Sequence, residues 1–175
     1  MHTFHLMVLA GCLLVINFES AVAVGQGNKQ RPCSTSEYHQ FDFWIGHWDT
    51  FEVSNSTKVI AHNRVESMLD GCAIREVYEQ ADGLVGESFS VYDSSRHVWH
   101  QSWVTNRGHL LTLEGGMNDG QMILTGNDVT EGKTRLLRGI WSRAGDGVRE
   151  TAEVSNDNGK SWAVLFDITF KPARR

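Results

Sequence analysis

From Trp48 to Phe170 the chain reads as ten short segments in which apolar and polar residues alternate, with Gly, Asn and Asp punctuating the joins. The segments are 48–53, 59–69, 73–79, 88–92, 98–105, 110–114, 122–125, 135–142, 148–154 and 162–170. A period of two is the repeat of a β-strand, whose successive side chains point to opposite faces. The last segment carries the clearest stripe, with Trp162, Val164, Phe166, Ile168 and Phe170 on one parity. In the second, Val59, Ala61, Val65 and Leu69 share a parity. Asp70-Gly71, Asp82-Gly83, Asp119-Gly120 and Asp146-Gly147 are hairpin-type dipeptides whose Gly accepts a positive φ. Helical periodicity is confined to a turn or two around residues 34–41. So many antiparallel strands must dispose of their edges, and closure into a ring removes them. The sequence therefore predicts an all-β, antiparallel up-and-down β-barrel of about ten strands, with a short N-terminal helical turn. A β-sandwich is the alternative.

Upstream of the strands the chain changes character. Residues 4–16 are nearly all apolar, and Ala21-Val22-Ala23 has the small-x-small form that signal peptidase reads. Residues 1–23 are thus expected to be a cleaved signal, residues 24–37 a polar lead-in, and residues 38–175 a single barrel domain. A competing reading takes Leu9-Ala10-Gly11-Cys12 as a lipobox, with a lipid on Cys12. Either way the protein is expected to be secreted or periplasmic, with no integral membrane segment once the signal is removed. Cleavage leaves two cysteines, Cys33 and Cys72, with no metal-type spacing around them. In an oxidising compartment that pair is expected to form a structural disulfide. Lys and Arg total 16 against 21 Asp and Glu, a net charge of −5 with no basic run, which argues against a nucleic-acid partner.

The most distinctive string is FDFWIGHWD, residues 41–49. Its Gly46-His47-Trp48 is similar to the lipocalin signature, in which a Trp closes one end of a barrel and the Gly lets the chain pass beneath it. Phe41, Phe43, Trp44 and Trp48 are expected to form that floor. The string continues into DGC at 70–72, GESFSVYD at 86–93, WHQSWV at 99–104, LEGG at 113–116, DGQM at 119–122 and SNDNGKSW at 155–162. With these motifs the chain resembles a family of secreted, mostly bacterial proteins with calycin-like barrels. The resemblance covers nearly all of residues 38–175. It implies a barrel fold, secretion and a Cys33–Cys72 pairing, and it carries no activity with it.

SNDNGKSW also fits the Asp-box pattern, a self-contained turn in which Asp157 accepts amide hydrogens, Gly159 makes the bend and Trp162 packs beneath. A single copy is a structural device and does not indicate a glycosidase. His97 and His100 fall on opposite faces of a strand, and a zinc site from His62, His100 and His109 has no supporting spacing. Neither a metal nor a cofactor, haem included, is expected. No G-x-S-x-G elbow exposes a serine nucleophile, and no catalytic residue is assigned. Carboxylates are plentiful on the strands, at Glu66, Glu76, Glu114, Glu150 and Glu153.

Segment 98–105 is the best ligand-lining candidate. Trp99, Gln101 and Trp103 share one face and His100 takes the other, so an inward Trp face would give a lumen two flat walls and an amide. The candidate ligand-contacting residues are Trp99, Gln101 and Trp103, with His100, Glu66 and Glu76. The leading functional expectation is a non-catalytic barrel holding a small, partly apolar molecule. One alternative is a lumenal acid/base enzyme, a hydrolase or an isomerase/cyclase, using Glu and His. The other is a structural or interaction barrel whose outer Trp face docks a partner.

Overall fold

A computed structural model describes residues 31–130 and 132–174. The residues of the expected signal and the first half of the lead-in, 24–30, lie outside that range. Ten strands follow one another: β1 (Gly46–Glu52), β2 (Asn55–Met68), β3 (Ala73–Gln80), β4 (Val85–Asp93) and β5 (Val98–Thr105) form the first half. The second half is β6 (Leu110–Asn118), β7 (Gln121–Thr130), β8 (Lys133–Ala144), β9 (Gly147–Ser155) and β10 (Ala163–Pro172). Every strand pairs antiparallel with its sequence neighbours, and β1 pairs with β10, Thr50 opposite Phe170, to close the ring. The fold is a closed up-and-down barrel, and the sandwich alternative is set aside.

The ring has one sealed end. Two short 3-10 turns, Ser36–His39 and Asp42–Trp44, lead into β1 and carry the FDFW residues beneath the barrel. Phe41 and Trp44 are fully buried there and stack at 5.0 Å between ring centroids. Phe41 also meets Trp99 and Trp141 edge-on, at 5.8 and 5.4 Å. Such offset and T-shaped contacts are the arrangements aromatic quadrupoles favour. Trp48 Nε1 donates to the Trp44 carbonyl at 3.0 Å, fixing the turn to the first strand. Phe43 is only partly buried and lies under the Arg143 guanidinium. Cys33 and Cys72 form a disulfide that links this entry segment to the connection between β2 and β3.

Glycine makes room for the tryptophans. A Cβ on Gly46 would lie 2.4 Å from the Trp48 ring, so the indole folds back over its neighbour two residues upstream. The same arrangement recurs at Gly139 and Trp141, again with 2.4 Å to the ring. Across strands, a Cβ on Gly86 would fall 2.2 Å from the Trp103 ring. The second Gly-x-Trp, at residues 139–141, repeats the first in the sequence as well as in space.

Three local expectations are corrected. Leu69 leaves the β2 stripe: it sits in a tight 3-10 turn at φ 53° and is 68% exposed, because the chain must reverse at Asp70-Gly71. At Asp146-Gly147 the positive φ falls on Gly145 instead, and Gly147 already belongs to β9. The β10 stripe is broken by an irregularity between Val164 and Phe166, which turns Val164 outward while Ile168 and Phe170 remain in the core. Trp162 precedes the strand and closes its own loop, donating Nε1–H to the Gly159 carbonyl. The Asp-box residues behave as expected of a turn, with Asp157 accepting from the Ser161 amide and hydroxyl and from Ser155.

Candidate functional site

Above the aromatic floor the barrel encloses a cavity of about 970 Å³ that opens between the hairpins at the other end. Strand parity decides what lines it. On β5 the inward face is Trp99, Gln101 and Trp103, on β3 it is Ile74, Glu76 and Tyr78, and on β9 it is Val148, Glu150 and Ala152. Leu111, Leu113 and Leu137 supply apolar wall, and Val53, Leu165 and Phe166 form an apolar lip at the mouth. Apolar surface predominates, with a few convergent polar groups, the usual make-up of a small-molecule pocket.

Glu76 is buried in the cavity wall, only 6% exposed. Asn63 Nδ2 donates to its Oε1 at 2.9 Å and the Ser88 hydroxyl donates to its Oε2 at 2.8 Å. Beside it, Gln101 Nε2 donates to the Ser90 hydroxyl at 3.1 Å. Burial pushes the Glu76 carboxyl up to about 7, and the two hydrogen bonds, which favour its charged form, offset only part of that. Glu150 enters the lumen from β9, four strands away around the ring in one direction and six in the other. It is half-buried, with part of its surface facing the cavity, and burial raises its carboxyl well above the ordinary range. The nearby charge of Glu76 raises it further. The Trp141 indole N–H eases the Glu150 charge a little from a distance, but it is too far off or too poorly aligned for a hydrogen bond and remains a buried donor without a partner. Tyr78 titrates higher than an ordinary phenol, first through burial and then through Glu150 and Glu76. The three groups line the same cavity.

Nearer the mouth lies a separate cluster around Asp128, which is 2% exposed. His109 Nε2 lies 3.0 Å from Asp128 Oδ1, and Arg135 Nε donates to Oδ2 at 2.9 Å. Burial here pushes the carboxyl up, but the hydrogen bonds from His109, Arg135 and Thr130 outweigh it and hold Asp128 below its usual range. Because Asp128 stands close to the rim its burial penalty is partial, and the cluster is a satisfied ion group rather than an acid poised near neutrality.

The structure brings Gln101, Trp103 and Glu76 together on the cavity wall. Trp99 lies on the same face but is spent in the floor, packed on Phe41 and donating Nε1–H to Gln40 Oε1 at 3.2 Å. His100 and Glu66 do not reach the lumen. His100 points outward, bonded to Glu114 and Ser102, because the neighbouring tryptophans take the inner parity. Glu66 pairs with Arg64 on the outer wall, since Val65 next to it occupies the core. The acid/base reading that needed Glu66, Glu76 and His100 in mutual reach loses its geometry. The docking reading also loses its outer Trp face. His62 lies on the outer surface beside Asp49, so the three histidines do not converge, and among the described residues no group of three or more His, Cys, Asp or Glu is arranged to hold a metal ion.

Sequence reasoning does not single out Glu150, Tyr78, Trp141, Asp128, Arg135 or His109 as ligand-lining. A signal exists for two of them: Glu150 shares its parity with Val148, Ala152 and Val154, and Asp128 with Met122 and Leu124. An acid on the apolar parity of a barrel strand is an acid inside the barrel. Among the described residues no helix is long and apolar enough to cross a membrane. No protein-family model matches the chain, and comparison with the curated proteins finds none similar to it.

Proposed function

We propose that this protein is a non-catalytic binding barrel, exported by its N-terminal segment and belonging to the calycin-like family its motifs resemble, that carries a small, partly apolar molecule in its lumen. The observation that carries this reading is the open cavity of about 970 Å³, walled by leucine and aromatic side chains around a small set of polar groups. That volume accommodates a guest of drug-like size, for which pockets run from about 300 to 1,000 Å³. The contact residues are Gln101, Trp103 and Glu76, joined by Tyr78, Trp141 and Glu150. Export is supported by the Cys33–Cys72 disulfide, which persists in oxidising compartments. Lipid attachment at Cys12 remains the alternative mode of export, and the mass of the mature chain distinguishes it from cleavage after Ala23.

The test is native mass spectrometry of the protein purified from its source, with solvent extraction of the same sample. The expected result is a bound small molecule that Trp103→Ala releases. A barrel that is always recovered at its bare chain mass, and that takes up no apolar dye, overturns the reading.

A further inference from the structure

Resting on that reading of the lumen as a ligand site, we propose that its guest is an amine, held as an ammonium between Glu76 and Glu150 with its apolar body against Trp103, Tyr78 and Trp141. The first reason is charge. Two carboxyl side chains enter the same cavity from opposite sides of the ring, and no described basic side chain stands with them. The two bases that line the cavity, Arg135 and His109, are bonded to Asp128 near the mouth. Asp167, at the lip, is held by Arg149. Buried carboxyls are ordinarily paired with a cation or held neutral, and an ammonium guest supplies the counter-charge that the described residues omit.

The second reason is the kind of hydrogen-bonding capacity left over. Asn63 Oδ1 is buried and accepts nothing, while the nitrogen of the same amide holds Glu76. Asn63 itself lies behind the cavity wall, so the acceptors a guest meets are the carboxyl oxygens of Glu76 and Glu150, and a group with several N–H donors suits that setting. An ammonium has three. Across the lumen the unpartnered Trp141 Nε1–H, in a side chain only 3% exposed, faces Glu150 and favours its ionised form. The third reason is the wall. Tyr78 and Trp103 meet edge to face at 6.0 Å, and with Trp141 they present π surface around the acids, which attracts a desolvated cation as well as an apolar body. A carboxylate guest would meet two acids of its own sign, and a purely hydrocarbon guest would leave the acceptors unanswered.

The groups that face Glu76 are Asn63 from β2, Ser88 from β4, Tyr78 two residues along β3, and Glu150 across the lumen; those that face Glu150 are Trp141 beside it on β8, and Tyr78 and Glu76 across the lumen. All are neutral or acidic. Ammonium binding therefore draws protons off the carboxyl pair, and amine affinity rises with pH through neutrality.

The experiment loads the purified protein with Nile red, a neutral apolar dye, and displaces it with three matched indoles: tryptamine, tryptophol and indole-3-acetate. The expected result is that tryptamine displaces the dye at a concentration at least tenfold lower than tryptophol, with indole-3-acetate weakest. The gap should widen from pH 6 to pH 8 and collapse in Glu76→Gln/Glu150→Gln. Calorimetry of wild-type protein in two buffers of different ionisation enthalpy should show proton release on tryptamine binding, a readout that does not depend on the variant folding. If the dye binds and tryptophol competes as well as tryptamine, or no indole competes, the amine assignment is overturned while the binding reading stands. If neither dye nor indole binds, both fall.

Discussion

Asn63 on β2 reaches diagonally across to β3 and donates to Glu76 Oε1 at 2.9 Å, so a buried acid is held by an amide one strand away. Asn63 stands opposite Tyr78 in the ladder, and Glu76 stands opposite Val65, two places along. The diagonal works because both side chains occupy the inner parity of their strands. It makes the polar core of the lumen part of the wall itself.

That acid sets a pH dependence of stability. Unfolded, Glu76 titrates near the ordinary 4.5; folded, burial holds it at about 7. Between those values the folded chain keeps a proton on Glu76 that the unfolded chain has lost, so the Glu76 contribution to stability falls as pH rises through this window and is level on either side. Glu76→Gln keeps an acceptor for Asn63 and removes the charge. It should flatten the profile and, above neutrality, raise stability by on the order of 3 kcal/mol. Denaturant melts at pH 5 and pH 8 check this; an unchanged slope in the variant counts against it.

Gly86→Ala should be costly for a steric reason. The added methyl would lie 2.2 Å from the Trp103 ring, which is rigid and forms part of the cavity wall. Overpacking of this kind costs about 1–3 kcal/mol and should shift the tryptophan emission. Gly116 on β6 has nothing within 4 Å of the position a methyl would take, so Gly116→Ala is the matched control, expected to lie within about 0.5 kcal/mol of wild type. Equal effects at the two sites would refute the assignment.

Removing the disulfide by Cys33→Ser with Cys72→Ser should act at the sealed end. The link spans a sequence separation of 39, which in the chain-entropy treatment corresponds to about 4 kcal/mol. The loss should free the segment bearing Phe41 and Trp44 before it disturbs the strands, so near-ultraviolet circular dichroism should change at lower denaturant than the far-ultraviolet signal. A single coincident transition at the wild-type midpoint would show that the link adds nothing.

Asp157→Ala should loosen one loop and nothing else. Its carboxyl sits at about 2, held down by the Ser161 hydroxyl first and then by the Ser161 amide and Ser155. Without it the Gly159 and Ser161 amides should exchange faster, while dye uptake by the lumen is unchanged. Weakened dye uptake would mean that the turn does more than fold back on itself.

Much of this barrel is legible in the chain because alternation and Asp-Gly turns are local. The ten segments and the Cys33–Cys72 pair follow from near neighbours or simple counting, and the floor residues Phe41, Trp44 and Trp48 from the resemblance of Gly46-His47-Trp48 to the lipocalin signature. Harder to read is which face a lone polar residue takes. Glu66 looks like a lumen candidate until Val65 beside it is seen to claim the inside. On β3 both Ile74 and Val77 are apolar, so the parity of Glu76 cannot be read from that strand alone; its burial is fixed by pairing with Ser88 and by the turn at Asp70-Gly71. The approach of Glu150 to Glu76 depends on closure of the ring, a relation between segments 74 positions apart that no local pattern encodes.

The pairing of Thr50 with Phe170 has a kinetic side. Nine of the ten seams join consecutive strands and can zip from a hairpin, but the tenth must bring together segments more than a hundred residues apart, the slowest kind of contact for a chain to find. Until it forms, β1 and β10 each carry an unsatisfied row of amides and carbonyls. In that interval two nascent chains can exchange a terminal strand, so the last seam to close is where misassembly of this protein would begin.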